Sequence, residues 1–151
     1  MSKRQFVALL ALLGLLIAIY LTLYKTGAIA ELACTTGSCE TVQMSRWATF
    51  LGLPVAAWGI VFYVVLLALA LSGLQGSLAE SRGVSLALVA LTGWGVIFSA
   101  WLTYLELFVI HAICQWCVVS AILVTIAFAI SWLDLRDHSR TDAALGVPDS
   151  T

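Results

Sequence analysis

The chain has 151 residues, 62% of them hydrophobic and only 10% charged, with a mean hydropathy of +1.06. A surface of that composition is not kept in water as a soluble domain keeps it, so the chain reads as an integral membrane protein. The formal net charge of −1 and pI near 6.0 leave no basic footprint for nucleic acid.

The first apolar run, 6–24, follows Lys3-Arg4. A helix rising about 1.5 Å per residue needs roughly 20 apolar residues to cross a hydrocarbon core about 30 Å thick, and this run is that long. With Ala28-Ile29-Ala30 beyond it, the segment imitates a signal peptide, but it is longer than a signal core, so it is read as a retained span. Glu31-Leu32-Ala33-Cys34 resembles a lipoprotein site except that an acid stands where an aliphatic residue belongs.

The next stretch, up to Leu53, is long for a connection in a small bundle, and long ordered loops are usually functional. It holds Cys34-Thr35-Thr36-Gly37-Ser38-Cys39, where Gly37 lets the chain fold back until the sulfurs meet. Residues 40–53 are amphipathic enough for a short helix on the membrane surface, and Leu53-Pro54 suits the start of a second span, 55–71. A short polar loop with Arg82 leads to a third span, 84–104. A tight connection over 106–112 leads to the fourth, 113–133, opened by Ile113-Cys114-Gln115-Trp116-Cys117. Residues 134–151 are polar, contain Pro148, and read as a frayed tail beside a membrane domain at 1–133. Alternating polarity is absent and there is no internal repeat, so the expected fold is all-α: a four-helix transmembrane bundle with a short amphipathic helix between spans one and two.

Lys3, Arg4, Arg82, Arg136 and Arg140 fall at one end of such a bundle, whereas the other end carries Lys25 and Arg46. The positive-inside rule puts both termini in the cytoplasm and all four cysteines on the outer side, where disulfides persist. This places the chain in the plasma (inner) membrane.

A Cys-x-x-Cys at a helix start has free amides and the positive end of the helix dipole beside it, which favours a thiolate, the species that attacks disulfides and electrophiles. Near lipid, the obvious two-electron acceptor is a quinone. Trp58, Phe62, Trp94, Phe98, Trp101 and Trp116 are candidate walls for its ring, with interface belt and helix packing as the plainer role of each. Two other readings of the cysteines are a structural zinc site and inert stapling disulfides, both of which make a membrane scaffold rather than an enzyme. The pairs lie far apart for a zinc module, and Cys-x-x-Cys is a strained, reducible staple. A transporter needs polar groups at mid-membrane, and these spans offer mainly Ser, Thr and Gly. Glu106 and His111 flank the outer connection and invite a proton-handling role, but they read as solvated loop polarity and stay off the site list.

Taken together, Cys34-x4-Cys39, the run from Ser45-Arg46-Trp47 to Gly52-Leu53-Pro54, and Cys114-Gln115-Trp116-Cys117 at the head of the last span resemble the bacterial branch of the vitamin K epoxide reductase family. The resemblance covers nearly all of the chain. It implies disulfide formation outside the membrane coupled to reduction of a quinone such as ubiquinone or menaquinone. On that likeness Cys114 and Cys117 match the active-site pair, with Cys117 toward the quinone, and Cys34 and Cys39 match the shuttle pair. Ser45 matches a Ser or Thr beside the site, or else caps a helix. The quinone contacts expected are Cys117, Ser45, Trp58 and Phe62. The Asn and Tyr that resemble substrate-holding groups in vertebrate members fall at Val55 and Ala121, which turns the reading from vitamin K or quinone epoxide reduction toward an ordinary respiratory quinone. The stretch after 133 is too short for the thioredoxin-like domain of many relatives, so a separate periplasmic thioredoxin-fold thiol oxidase is the expected partner.

Overall fold

The computed structural model describes residues 2–35, 38–76 and 81–146. Gly37, assigned the fold-back of the cysteine loop, and Pro148, assigned to the tail, lie outside the described residues. Four helices are long and apolar enough to cross a membrane: α1 (Lys3–Lys25), α3 (Val55–Ser72), α4 (Arg82–Leu105, continued by a π turn at Glu106–Ile110) and α5 (Gln115–Leu145). A short α2 (Cys39–Met44) and a hairpin, β1 (Thr49–Phe50) with β2 (Leu53–Pro54), lie between the first two. The chain is an all-α multi-pass membrane bundle.

Helix α1 opens with reciprocal capping: Ser2 Oγ accepts from Gln5 N, and Gln5 Oε1 accepts from Ser2 N. Its inner face is a line of small residues, Ala8, Ala11, Gly14 and Ala18, all buried, which lets the neighbouring backbone come close. A Cβ on Gly14 would run into the Tyr63 ring of α3, so glycine is the side chain that fits there. Leu9, Leu12, Leu13 and Leu16 of the same helix are exposed, as lipid-facing positions should be. Helix α1 packs along both α3 and α5, and α4 packs along α5, whereas α3 and α4 meet over a shorter length. Hydroxyls within the spans are satisfied locally: Thr22, Thr92, Thr103, Thr125 and Ser131 each donate to the carbonyl four residues back.

Two expected elements differ. The surface helix proposed for 40–53 ends at Met44, because Ser45 is extended, and the chain passes through a 3-10 turn (Arg46–Ala48) into the hairpin. Leu51 and Gly52, at φ 52° and 80°, form its two-residue loop, a geometry that matches strand twist and suits glycine at the second position. Helix α2 also turns Cys39, Val42 and Gln43 inward rather than lying wholly on the surface. The frayed tail expected from 134 onward is instead helical through Leu145, because polar groups past the apolar run find partners. Asp134 accepts from Arg4 Nε at 3.1 Å and from Ser85 Oγ at 2.8 Å, and Lys3 pairs with Asp137.

Candidate functional site

The α4–α5 connection builds the site. After the π turn, His111 adopts a left-handed conformation at φ 55° and Ala112 N donates to Glu106 O, reversing the chain so that Cys114 returns above Glu106. Cys114 is extended and caps α5, and its backbone N–H donates to Glu106 Oε2 at 3.1 Å. Glu106 is 4% exposed, so the expectation of solvated loop polarity is overturned for this residue: the reversal folds the carboxylate under the head of α5. His111 is exposed.

Cys34 and Cys39 are joined as a disulfide, whereas Cys114 and Cys117 are free thiols. Cys39 and Cys114, both fully buried, share one cluster with Leu21, Leu32 and Val42 at one end of the bundle, and Cys34 and Cys117 pack against it. The residues inside the Cys-x-x-Cys hold the loop beside Cys34. Gln115 Oε1 accepts from Thr35 N at 3.0 Å and Thr35 Oγ1 at 2.7 Å, and Trp116 Nε1 donates to Ala33 O at 2.8 Å. Tyr20, edge-on to Trp116, accepts from Ala33 N at 2.9 Å. Thiol and backbone donors surround the Cys114 sulfur: the Cys117 thiol, foremost, with the Cys117 and Trp116 amides, brings it down to about 7, against the opposing effects of burial and the Glu106 charge. Cys114 is therefore the thiol of the pair that ionises near neutral pH.

Below the cysteines lies an apolar cavity of about 450 Å³, walled by all four spanning helices. Of the four sulfurs, Cys117 lines it. Ser45 is at its wall with its hydroxyl turned to Val42 O at 2.8 Å, and α2 ends at this residue. Trp58 lines the cavity and donates to Phe50 O at 3.1 Å, tying α3 to the hairpin. Phe62 lines it beside Tyr63, ring centroids 5.1 Å apart, and Trp94 and Phe98 complete the aromatic wall. Trp101 and Trp116, also candidate walls, are elsewhere: Trp101 stacks on Tyr104 at the exposed face, and Trp116 serves the loop.

Two polar side chains of the site, Gln43 and Tyr63, are not singled out by the sequence, and a third, Glu106, is named there but left off the site list. Gln43, 5% exposed, points Nε2 at Cys117 Sγ (3.8 Å) and Cys114 Sγ (4.0 Å), while Lys25 Nζ donates to its carbonyl at 2.6 Å. Tyr63 OH meets Ser120 Oγ at 2.7 Å on the cavity wall. Glu106 lines the cavity together with Cys117. The available signal for the last was that it is the sole acid between Glu80 and Asp134, in a stretch of chain given over to lipid.

The vitamin K epoxide reductase family model matches residues 5–132, a stretch that contains both cysteine pairs, Gln43 and Glu106.

Proposed function

The chain belongs to the vitamin K epoxide reductase family, and hence to the membrane oxidoreductases that work between thiols and a quinone; from that premise we propose that it makes disulfides for proteins folding outside the cytoplasm. It takes electrons from a separate thioredoxin-fold protein, passes them from the Cys34–Cys39 pair to the Cys114–Cys117 pair, and delivers them to a quinone. The observation that supports this most is the division of labour at one end of the bundle: Cys114 shares a buried cluster with Cys39, while Cys117 faces the apolar cavity.

The relay runs by thiol exchange. A thiolate of the reduced partner attacks Cys34, Cys39 leaves, and the partner's second thiol resolves the mixed disulfide and departs oxidised. Cys39 then attacks Cys114 of the oxidised Cys114–Cys117 bond, releasing Cys117, and Cys34 closes back on Cys39. The product has a closed loop pair and a Cys114–Cys117 dithiol, which is the state of the sulfurs described above. The cavity suits a quinone in size and lining: it lies in the range of pockets for molecules of that size, with apolar walls and a few placed polar groups. Trp58, Phe62 and Phe98 offer ring faces, and the Gln43 amide and the Tyr63–Ser120 hydroxyls offer hydrogen bonds. A bound quinone would supply the sink for two electrons and two protons, with Trp47 and Phe50 of the hairpin region on the same cavity wall. Ubiquinone, menaquinone or a relative fits this reading better than an epoxide, since Val55 contributes an apolar wall where an amide is expected for epoxide binding.

The orientation belongs to the same proposal. With Lys3, Arg4, Arg82, Arg136 and Arg140 toward the cytoplasm, both termini are cytoplasmic and the cysteine end faces the periplasm or its equivalent. The partner is tested with a Cys39→Ala variant, whose Cys34 thiol has lost its disulfide mate: it attacks the disulfide of the oxidised thioredoxin-fold protein, and no Cys39 is left to displace that protein again. Expressed in cells, it is expected to accumulate a mixed disulfide between Cys34 and a thioredoxin-fold protein, identified by mass spectrometry after non-reducing purification. Recovery of no thioredoxin-fold protein would count against the relay's first step.

A further inference from the structure

We propose that Glu106 is the proton acceptor of Cys117, taking the thiol proton as that sulfur gives up its electrons. This rests on the reading of Cys114–Cys117 as the couple that discharges into the cavity. A carboxylate at the end of a membrane span is costly to bury, and such a group is retained where it is paired or used. Glu106 is 4% exposed and lines the cavity together with Cys117. One oxygen accepts from Cys114 N at 3.1 Å, at the head of the helix that carries Cys117. It therefore shares the cavity wall with the reacting sulfur and bonds the cap of the helix that carries it. Its environment is otherwise neutral among the described residues. α2 presents the Gln43 amide, and Lys25 is bound to the Gln43 carbonyl. Tyr63 of α3 is engaged with Ser120, His111 is exposed, and the two thiols at the head of α5 are the titratable groups that face it.

The chemistry balances. The Cys117 thiol proton moves to Glu106, an S–S bond forms between Cys114 and Cys117, and two electrons leave the pair for the quinone. The quinol needs two protons. Glu106 carries one into the cavity, and the other makes good from water the proton that Cys114 has already lost near neutral pH. Capping α5 does not by itself require an acid, because an amide oxygen also accepts from Cys114 N. Glu106→Gln therefore keeps the cap and removes the proton site.

Purified Glu106→Gln is expected to lose about 100-fold or more in oxidation of a dithiol with a short-chain quinone, the usual weight of one acid–base group. In the reduced protein without quinone, the ultraviolet absorbance of the Cys114 thiolate moves the other way. The wild type titrates at about 7 against the opposing Glu106 charge, so Glu106→Gln should titrate lower. A slower enzyme with a more easily formed thiolate is the signature of a lost proton acceptor. Glu106→Asp, one methylene short, should fall between the two. The proposal is overturned if Glu106→Gln turns over within about threefold of wild type, or if Gln and Asp variants are equally slow. If Glu106→Gln does not accumulate, the pH–rate profile of Glu106→Asp decides: a displaced profile supports the assignment and an unchanged one overturns it. Should Cys117→Ala retain quinone-dependent turnover, the underlying reading fails instead, whatever Glu106→Gln does.

Discussion

Cys117→Ala is expected to abolish quinone-dependent dithiol oxidation, a fall of more than about 10³-fold, conservative against the 10⁶-fold or more that enzymes supply. The reason is positional. Cys117 is the sulfur on the cavity wall, and Cys114 is fully buried in the cluster with Cys39, so no other thiol takes over its contact with the acceptor. The loop disulfide does not depend on it, since Cys34 and Cys39 are bonded to each other and held by Gln115, Trp116 and Tyr20. The check is turnover with added quinone beside a non-reducing peptide map. A Cys117→Ala protein that still holds Cys34–Cys39 and is inactive supports the assignment. One that retains wild-type turnover refutes it.

The second large effect lies at the opposite end of the bundle and concerns stability. Arg4, 5% exposed, donates to Gly73 O (2.8 Å) at the end of α3, Ser85 Oγ (2.9 Å) in α4 and Asp134 (3.1 Å) in α5, and Nη2 lies 3.1 Å from His138 Nε2. A guanidinium can only donate, so the His138 nitrogen accepts. One side chain thus joins all four spanning helices. Arg4→Ala leaves Asp134, 15% exposed, without its cation, and since removing one partner of a buried pair costs roughly 3–5 kcal/mol, a partly buried one should cost about 3 kcal/mol. For a chain of this size that is a drop in midpoint on the order of 10 °C, read by thermal unfolding in detergent. Replacing Arg4 and Asp134 together by apolar residues should cost less than Arg4→Ala alone, because no charge is stranded. The neighbouring Lys3–Asp137 pair is solvent-exposed and should contribute little.

The two ends were not equally legible in the sequence. Runs of apolar residues mark the spans because lipid asks for length and little else, and Pro54 before Val55 marks a helix start that the structure has. What hydropathy could not see is where polar residues are satisfied. Asp134 ends the apolar run, yet it continues the helix because Arg4 and Ser85, distant in sequence, meet it. Glu106 reads as a loop acid because it follows the apolar run, and it becomes a site residue only once the π turn and His111 fold it beneath Cys114. The short helix between spans one and two is present but stops at Met44 for a local reason: Leu51-Gly52 before Pro54 is a tight-turn signal that amphipathicity over 40–53 masks. For the aromatics, composition alone could not separate Trp58 and Phe62, which line the cavity, from Trp101, which does not, because the distinction depends on helix rotation.

The relay requires electrons to pass between the two sulfur pairs at one end of the bundle. The most direct measurement is a peptide map, under non-reducing conditions, of a Cys34→Ala, Cys117→Ala double variant that keeps Cys39 and Cys114. The expected result is a Cys39–Cys114 disulfide formed in the membrane in high yield, since the two residues share one buried cluster. Free thiols at both positions under oxidising conditions, or thiol labelling that reaches them from opposite sides of the bilayer, would contradict it.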